Sequence, residues 1–283
     1  MKDKHYFDFE SPHFTLTHYK RFGSFRMDKK HAHPQYELYY LLSGKRNYFI
    51  ENRVYPIESG DLVLVNSNTL HKTIDSSSDF HERILIEFDH HIFDTLLKNP
   101  EELPLLKIFQ KETSLYHLNT QQSKQLESRL FQLIDACKKT KLPVDIALQI
   151  HLMECLLLIS ELTQEIPSPI YEHPSKLHKT IAEMIHYIHN HYKEELSLEI
   201  LSQNHSLSKV YISRSFKQIT GFSYIEYVNT VRIREAKRLL RETDQSIESI
   251  ARETGFLSTT HFGRVFRSYN GNSPMQWRKQ ILY

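Results

Sequence analysis

Between residues 14 and 88 the apolar positions come in short runs, ELYYLL, NYFIENRVYPI and DLVLV among them, broken by SGKR, ENR and ESGD. β-Rich runs between turn-forming clusters predict strands, and several in succession predict a sandwich or small barrel. Further on the period lengthens. Leu126, Leu130, Leu133 and Cys137 recur at i, i+4, i+7 and i+11, and Ile146, Ile150, Met153 and Leu157 repeat that spacing, which predicts two amphipathic helices. The first stripe has the form of a heptad seam, so a homodimer held by helices within 121–161 is expected. The alternative is that the stripe packs on its own barrel.

Pro167, Pro169 and Pro174 then interrupt helical continuity, because proline disfavours helix at and before its position. An interdomain linker is expected at 164–175, between a first domain at 1–163 and a second at 176–283. The second reads as about seven helices, with Ser197, Ser208, Ser223, Ser246, Ser258 and Ser273 as N-caps and a longer helix at 223–242. Ser273 is followed by Pro274, which suits the first helical position.

Composition narrows the classes. With 283 residues, 40% hydrophobic and 25% charged, and with 16 Tyr and 16 Phe, the chain is a globular protein of two domains rather than a disordered one. Residues 1–14 lack the apolar stretch of a secretory signal, and apolar runs such as 155–159 fall far short of the ~18 residues of a membrane span. A cytoplasmic location without a membrane partner is therefore expected. Cys137 and Cys155 are the only cysteines, too few for a disulfide framework or a thiolate metal cluster. Charge is uneven: residues 176–283 hold 16 Lys and Arg against 10 Asp and Glu, a balance of +6, whereas residues 1–175 hold 20 against 24. The basic half is the candidate for a polyanionic partner.

That half also contains a repeat. At an offset of 50, LSKVYISRSFKQITGFSYIEY (207–227) aligns with LSTTHFGRVFRSYNGNSPMQW (257–277), sharing Leu207/Leu257, Ser208/Ser258, Arg214/Arg264, Phe216/Phe266, Lys217/Arg267, Gly221/Gly271, Ser223/Ser273 and Tyr227/Trp277. A short apolar-periodic helix precedes each copy, giving the helix-turn-helix plan twice. Helical spacing assigns Ile212, Phe216 and Ile219, and likewise Phe262, Phe266 and Tyr269, to the buried faces. The opposite faces carry Val210, Ser213, Arg214 and Lys217 in the first copy and Thr260, Gly263, Arg264 and Arg267 in the second. Arg pairs bidentately with guanine, Ser and Thr bond bases or phosphates, and methyl groups touch thymine. Two such faces predict a double-stranded DNA partner.

These residues, together with RIREAKRLL (232–240) and SIESIARETGF (246–256), closely resemble the DNA-binding domain of the AraC/XylS family of bacterial regulators. By that resemblance the base-reading residues would be Val210, Ser213, Arg214, Thr260, Gly263 and Arg264, with RNA polymerase as a further partner. Ser202 departs from the family's usual Ala, and Gly263 offers no side chain to a base.

In the first half, His31-x-His33-x3-Glu37-x6-Gly44 is followed by Gly60-Asp61 and His71. This resembles the cupin β-barrel, whose two motifs supply three His and one Glu as metal ligands. The resemblance would make His31, His33, Glu37 and His71 the ligands of a divalent ion, but regulators with such a barrel need not hold metal, so no cofactor is expected. The alternative is that these side chains are polar lining or make strand-turn hydrogen bonds. His31, His33 and Glu37 are expected on one face of a strand. Asn66 and Asn68 stand where the second motif usually has Pro and Gly. The fold expected is thus multidomain α+β, a cupin-like barrel with trailing helices ahead of an all-α domain. The function expected is a DNA-binding regulator, not an enzyme, whose barrel binds a small-molecule effector, such as a sugar, through His31, His33, Glu37, Tyr39, Tyr48 and His71. The alternative is a metal-dependent cupin enzyme or metal sensor fused to a DNA-binding domain.

Overall fold

The computed structural model describes residues 3–23, 33–51, 53–67, 69–74, 80–111, 114–139, 146–166 and 175–282. The bulk of the chain divides into two units, the first ending at Glu172 and the second beginning at His173.

Among the described residues the first unit carries eight strands: β1 (Lys4–Ser11), β2 (Phe14–Phe22), β3 (Tyr36–Ile50), β4 (Arg53–Glu58), β5 (Asp61–Val65), β6 (His71–Ile74), β7 (Phe80–Phe88) and β8 (Leu115–His117). They pair in the order β1-β2-β7-β3-β5-β8, with β4 and β6 also on β3. Alternation along each strand splits the side chains between two cores. Phe14, Leu16, Leu38, Tyr40, Leu62, Leu64, Ile84, Ile86 and Phe88 face one core, whereas Tyr39, Leu41, Tyr48, Ile50, Tyr55, Ile57, Val63, Val65 and Leu85 form the other. The second core takes side chains from both halves of β3, so the sheet curls around it as a cupin-like barrel.

The SGKR segment, read from sequence as a turn between strands, lies inside the 15-residue β3. The register against β7 slips between Leu41 and Ser43, and Gly44 sits at φ +92° where any Cβ would collide with the Phe80 carbonyl. The turn-forming residues bend one strand here, as at a bulge.

Two helices cover the first core: α1 (Thr120–Lys139) and α2 (Ile146–Glu165). Leu126, Leu130, Leu133 and Cys137 are all buried in that core, so the stripe read as a dimer seam packs within its own unit. Each fully buried leucine there contributes about 1.5–3 kcal/mol. On α2 the sequence reading chose the wrong face. Ile146, Ile150 and Leu157 are exposed, while Leu148, Leu152, Cys155, Leu156 and Ile159 are buried. The reason is that α2 is apolar nearly all round; 146–164 is long and apolar enough to cross a membrane by length and composition. In the fold it is instead a core helix, with one face packed on the sheet and α1.

The second unit holds α3 (Lys176–His191), α4 (Leu198–His205), α5 (Lys209–Thr220), α6 (Tyr224–Glu242), α7 (Ile247–Glu253), α8 (Thr259–Asn270) and α9 (Pro274–Leu282). The hydroxyls of Ser197, Ser208, Ser223, Ser246 and Ser258 accept an N-terminal N–H of α4 to α8, Ser273 does so for α9, and Ser223 forms a full capping box with Glu226. α6 joins two cores. Tyr227 meets Phe216 and Phe222 near its start, and Ile233, Ala236 and Leu240 pack on Ile250, Phe262 and Phe266 farther along.

Candidate functional site

Each helix-turn-helix is built by local chemistry. In the first, Ser206 turns the chain at φ +53°, the Leu207 N–H donates to the Ser202 carbonyl at 3.2 Å, and the Ser202 hydroxyl donates to the Leu207 carbonyl at 2.6 Å. In the second, Gly255 turns at φ +83° and the Phe256 N–H donates to the Ala251 carbonyl at 2.9 Å. Ser202 and Ala251 therefore hold matching places, and the serine adds a hydrogen bond. The second turn is one residue longer, and the extra residue is Leu257. Aligned by sequence with Leu207, Leu257 is fully exposed, and Phe256 fills the buried place instead.

The second helix of each unit divides as expected. Ile212, Phe216 and Ile219 are buried on α5, as are Phe262 and Phe266 on α8, with Tyr269 half-buried. Opposite them Val210, Arg214 and Lys217 on α5, and Thr260, Arg264 and Arg267 on α8, are exposed, with Ser213 and Gly263 half-buried beside them. A Cβ added at Gly263 would meet nothing within 4 Å beyond the helix's own backbone. Each rigid helix thus presents a short row of polar and cationic groups backed by aromatic packing.

Two arginines that sequence reading passed over brace this frame. Arg232 of α6 donates to the carbonyls of Tyr192 and Glu194, both at 2.8 Å. Arg278 of α9 donates to the carbonyls of Leu240 and Gln245 at 3.3 and 2.7 Å. The Tyr192 and Leu240 carbonyls lie at the C-terminal ends of α3 and α6, where the last acceptors lack intrahelical partners, and those of Glu194 and Gln245 lie in the loops that follow. Nothing in the local sequence distinguishes them from DNA-facing arginines.

In the first unit the structure brings together His33, Glu37, Tyr48 and His71. Glu37 projects inward from β3 and is 1% exposed. Its Oε1 accepts from the Tyr48 hydroxyl, and its Oε2 lies 3.1 Å from His71 Nε2 and 3.4 Å from His33 Nε2. His33 Nε2 is also 3.1 Å from Glu87 Oε1. Burial by itself would disfavour a charged imidazole at His33, but Glu37 and Glu87 outweigh it and raise the pKa to about 10. Burial likewise opposes ionisation of Glu37, yet His71 and His33 hold its pKa well below the usual carboxylate range. Tyr39 stacks edge-on against Tyr48 at 5.1 Å.

His31 lies outside the described residues, and His33 precedes β3 rather than sharing a strand face with Glu37, although its ring reaches the carboxylate. The expected lining is closed: Glu37, Tyr39, Tyr48 and His71 are each at most 1% exposed and, Tyr39 apart, bond to one another. A divalent ion fits this donor set. Ligand atoms of His33, Glu37 and His71 lie within 4.8 Å of one another, and His71 Nδ1 is 2.8 Å from the Thr69 carbonyl. That contact commits Nδ1–H to the backbone and turns Nε2 toward the cluster, the orientation of a metal-ligating imidazole.

Comparison with known proteins agrees with both halves. Residues 15–156 match the model of the AraC-like ligand binding domain, and residues 201–280 match that of a helix-turn-helix domain. The chain is 26% identical over 272 residues to the HTH-type transcriptional regulator YisR of Bacillus subtilis, covering 92% of each chain. It is 25% identical to the HTH-type transcriptional activator RhaR of Mannheimia succiniciproducens, over 89% of this chain and 87% of that one. It is also 25% identical to the melibiose operon regulatory protein of Escherichia coli, over 89% of this chain and 84% of that one. With a ligand-binding barrel ahead of two helix-turn-helix units, the chain belongs to the AraC family of DNA-binding transcription regulators.

Proposed function

We propose that the barrel binds a small polar effector at the Glu37, His71, Tyr48 and Tyr39 cluster, and that occupancy alters how strongly α5 and α8 grip DNA. The observation that carries this reading is the buried hydrogen-bonded cluster itself. Polar side chains converging on an apolar barrel wall are what a small-molecule site requires, and here they lie in a ligand-binding domain. A sugar-like polyol, rich in hydroxyls, suits donors and acceptors of this kind, and one relative is named for a sugar operon. The base-reading residues in this proposal are Val210, Ser213, Arg214, Thr260, Gly263 and Arg264, with Lys217 and Arg267 on phosphates.

The chain works in this reading as a cytoplasmic regulator without catalysis, touching RNA polymerase when bound upstream of a promoter. Its domains are 1–163 and 176–283, joined by a linker at 164–175. A second copy seats on the apolar side chains that α1 and α2 leave exposed, Phe131, Ile150 and Leu157. Two linked DNA-binding domains would then favour paired sites. Sedimentation of the full chain as a monomer at micromolar concentration rejects that dimer.

A compound that raises the melting temperature identifies the effector, since binding to the native state stabilises it. Titrating that compound with and without operator DNA is the test of regulation. Coupled sites must change each other's affinity by one common factor, so identical dissociation constants overturn the sensor role. The second reading, a divalent ion on His33, Glu37 and His71, rests on the ligand spacing. Purified protein would carry about one ion per chain, lost in Glu37→Gln, since removing a ligand opens the site.

A further inference from the structure

The turn between β1 and β2 and the segment that follows β7 bring three histidines and two aspartates together on the first unit. Phe14 pairs with Phe88 at the ends of β2 and β7, and the Asp89 N–H donates to the His13 carbonyl at 3.2 Å. That pairing sets His13, just before β2, beside the short 3-10 helical turn His90–Phe93. Phe14, Ile92 and Phe93 are fully buried in the first core, so both segments are anchored at their roots. The histidines stay at the surface, His13 and His90 half-buried and His91 exposed.

Two of the rings are oriented in the same way. His13 Nδ1 lies 3.2 Å from the Asp89 carboxylate, and His91 Nδ1 lies 3.1 Å from Asp94 Oδ2. A carboxylate only accepts, so in the neutral imidazole each contact puts the ring proton on Nδ1 and leaves Nε2 its lone pair. Proteins present metal-ligating histidines in this way: the outer carboxylate fixes tautomer and ring plane and raises the basicity of the ligand nitrogen. Asp89 Oδ1 also accepts from the His91 N–H at 2.9 Å, so one carboxylate orients His13 and caps the turn that carries His91.

The spacing agrees. Two imidazoles on one tetrahedral ion, each nitrogen ~2.1 Å from the metal, have ring centres roughly 5 Å apart. The rings of His13 and His91 are 5.3 Å apart, and that of His90 lies 4.2 Å from His91. The side chains of His13 and His91 are 38% and 51% exposed, which leaves an ion and its waters a way in. Surface ion pairs of histidine with aspartate contribute little by themselves. Two of them side by side, each fixing one ring with a third imidazole alongside, are what ligand presentation requires.

We propose that His13 and His91, with His90 as a third donor, form a site for one borderline transition-metal ion such as Zn2+, Ni2+ or Cu2+, with water completing the shell. Imidazole suits these ions, whereas Mg2+ and Ca2+ take oxygen ligands. The site shares no residue with His33, Glu37 and His71 and does not depend on the barrel as an effector site. An ion bound there bridges the β1–β2 turn to the segment after β7 and favours the folded state.

The test is calorimetric titration of the full chain with zinc alone, in wild type and in Glu37→Gln, which removes the barrel ion and leaves this site to be measured by itself. His13→Gln and His91→Gln should each weaken zinc binding at this site at least ten-fold. In Asp94→Asn no ligand is lost, yet affinity should still fall about ten-fold or more, because the outer partner of a ligating histidine is worth roughly 10–100-fold. The control His117→Gln, whose ring lies 2.7 Å from Asp61, should bind zinc as wild type does. Nitrogen resonances should place zinc on Nε2 of His13 and His91, and coordination through Nδ1 overturns the arrangement. Zinc affinity equal in wild type and both histidine variants overturns the site. So does an equal loss in His117→Gln, which means that zinc finds any exposed imidazole, and so does magnesium binding as tightly as zinc. If Glu37→Gln binds no zinc where wild type binds one ion, the barrel metal stands and this site fails. If Glu37→Gln binds as wild type does and His91→Gln does not, this site stands and the barrel metal fails.

Discussion

The hydroxyl of Tyr269 on α8 donates to the backbone carbonyl of Glu226 on α6 at 3.1 Å. Forty-three residues separate the two, so the bond ties the second recognition helix to the first turn of the helix joining both units. The same carbonyl accepts from the Thr230 hydroxyl at 2.8 Å and is not orphaned when Tyr269 loses its oxygen. Tyr269→Phe should therefore cost about 0.5–1.5 kcal/mol of stability. It should also loosen the angle between α5 and α8, weakening binding to a full operator more than to a half-site. Equal losses on both, measured by fluorescence anisotropy, would show that the bond only stabilises the fold.

Arg214→Ala and Arg264→Ala should each weaken operator binding by ~1–3 kcal/mol and relax base preference in one half-site. Both side chains are exposed on faces whose opposite sides are fully buried, so their removal should leave the melting temperature nearly unchanged. Binding measured against randomised half-sites decides the matter. Uniform weakening on every sequence means that the arginines contact phosphate alone.

Gly263 lies inside α8, and a Cβ added there meets nothing within 4 Å. Glycine in a helix interior is about 0.5–1 kcal/mol worse than alanine. Gly263→Ala should accordingly raise the thermal midpoint. Because the position faces outward with Arg264, the new methyl should also change base preference in the second half-site, toward thymine. A stabilised variant with unaltered preference would place Gly263 off the DNA.

Acid should weaken the second unit through His189. Burial first, then the neighbouring Arg234, lowers this imidazole to about 4, and its Nε2 lies 2.9 Å from the Tyr227 hydroxyl. The unfolded chain takes up a proton near pH 6.5, while the folded one resists until about 4. Between those values the unfolded state holds more protons, so stability falls as pH is lowered across the window and levels off below it. His81, held down to about 3, acts in the same direction in the first unit. Denaturant unfolding from pH 7 to pH 4 should show a shallower acid loss in His189→Gln than in wild type. An identical slope would place the acid sensitivity elsewhere.

The helix-turn-helix domain was legible almost residue by residue, because its signals are local. Serine caps act on N–H groups two or three residues away, glycine turns follow from the absence of a Cβ, and the 3.6-residue period separates Phe216 from Arg214 without reference to any other element. The extra residue at Leu257 escaped because a gapless repeat of 50 hides a turn that grows while the preceding helix shortens.

In the barrel the residue types were readable and their relations were not. The alternation of β3 already placed Glu37 and Tyr39 on one side of a strand. Whether SGKR ends that strand or bends it depends on β7, whose Phe80 carbonyl leaves no room for a side chain at Gly44. Which side of α2 is buried depends on where α1 and the sheet lie, since an all-round apolar helix carries no preferred face in its own sequence. The approach of Arg83 to Tyr39 was invisible for a similar reason. Arg21 and Arg83 come from separate stretches of chain, and only the pairing of β2 with β7, through long-range backbone hydrogen bonds, brings them to one face.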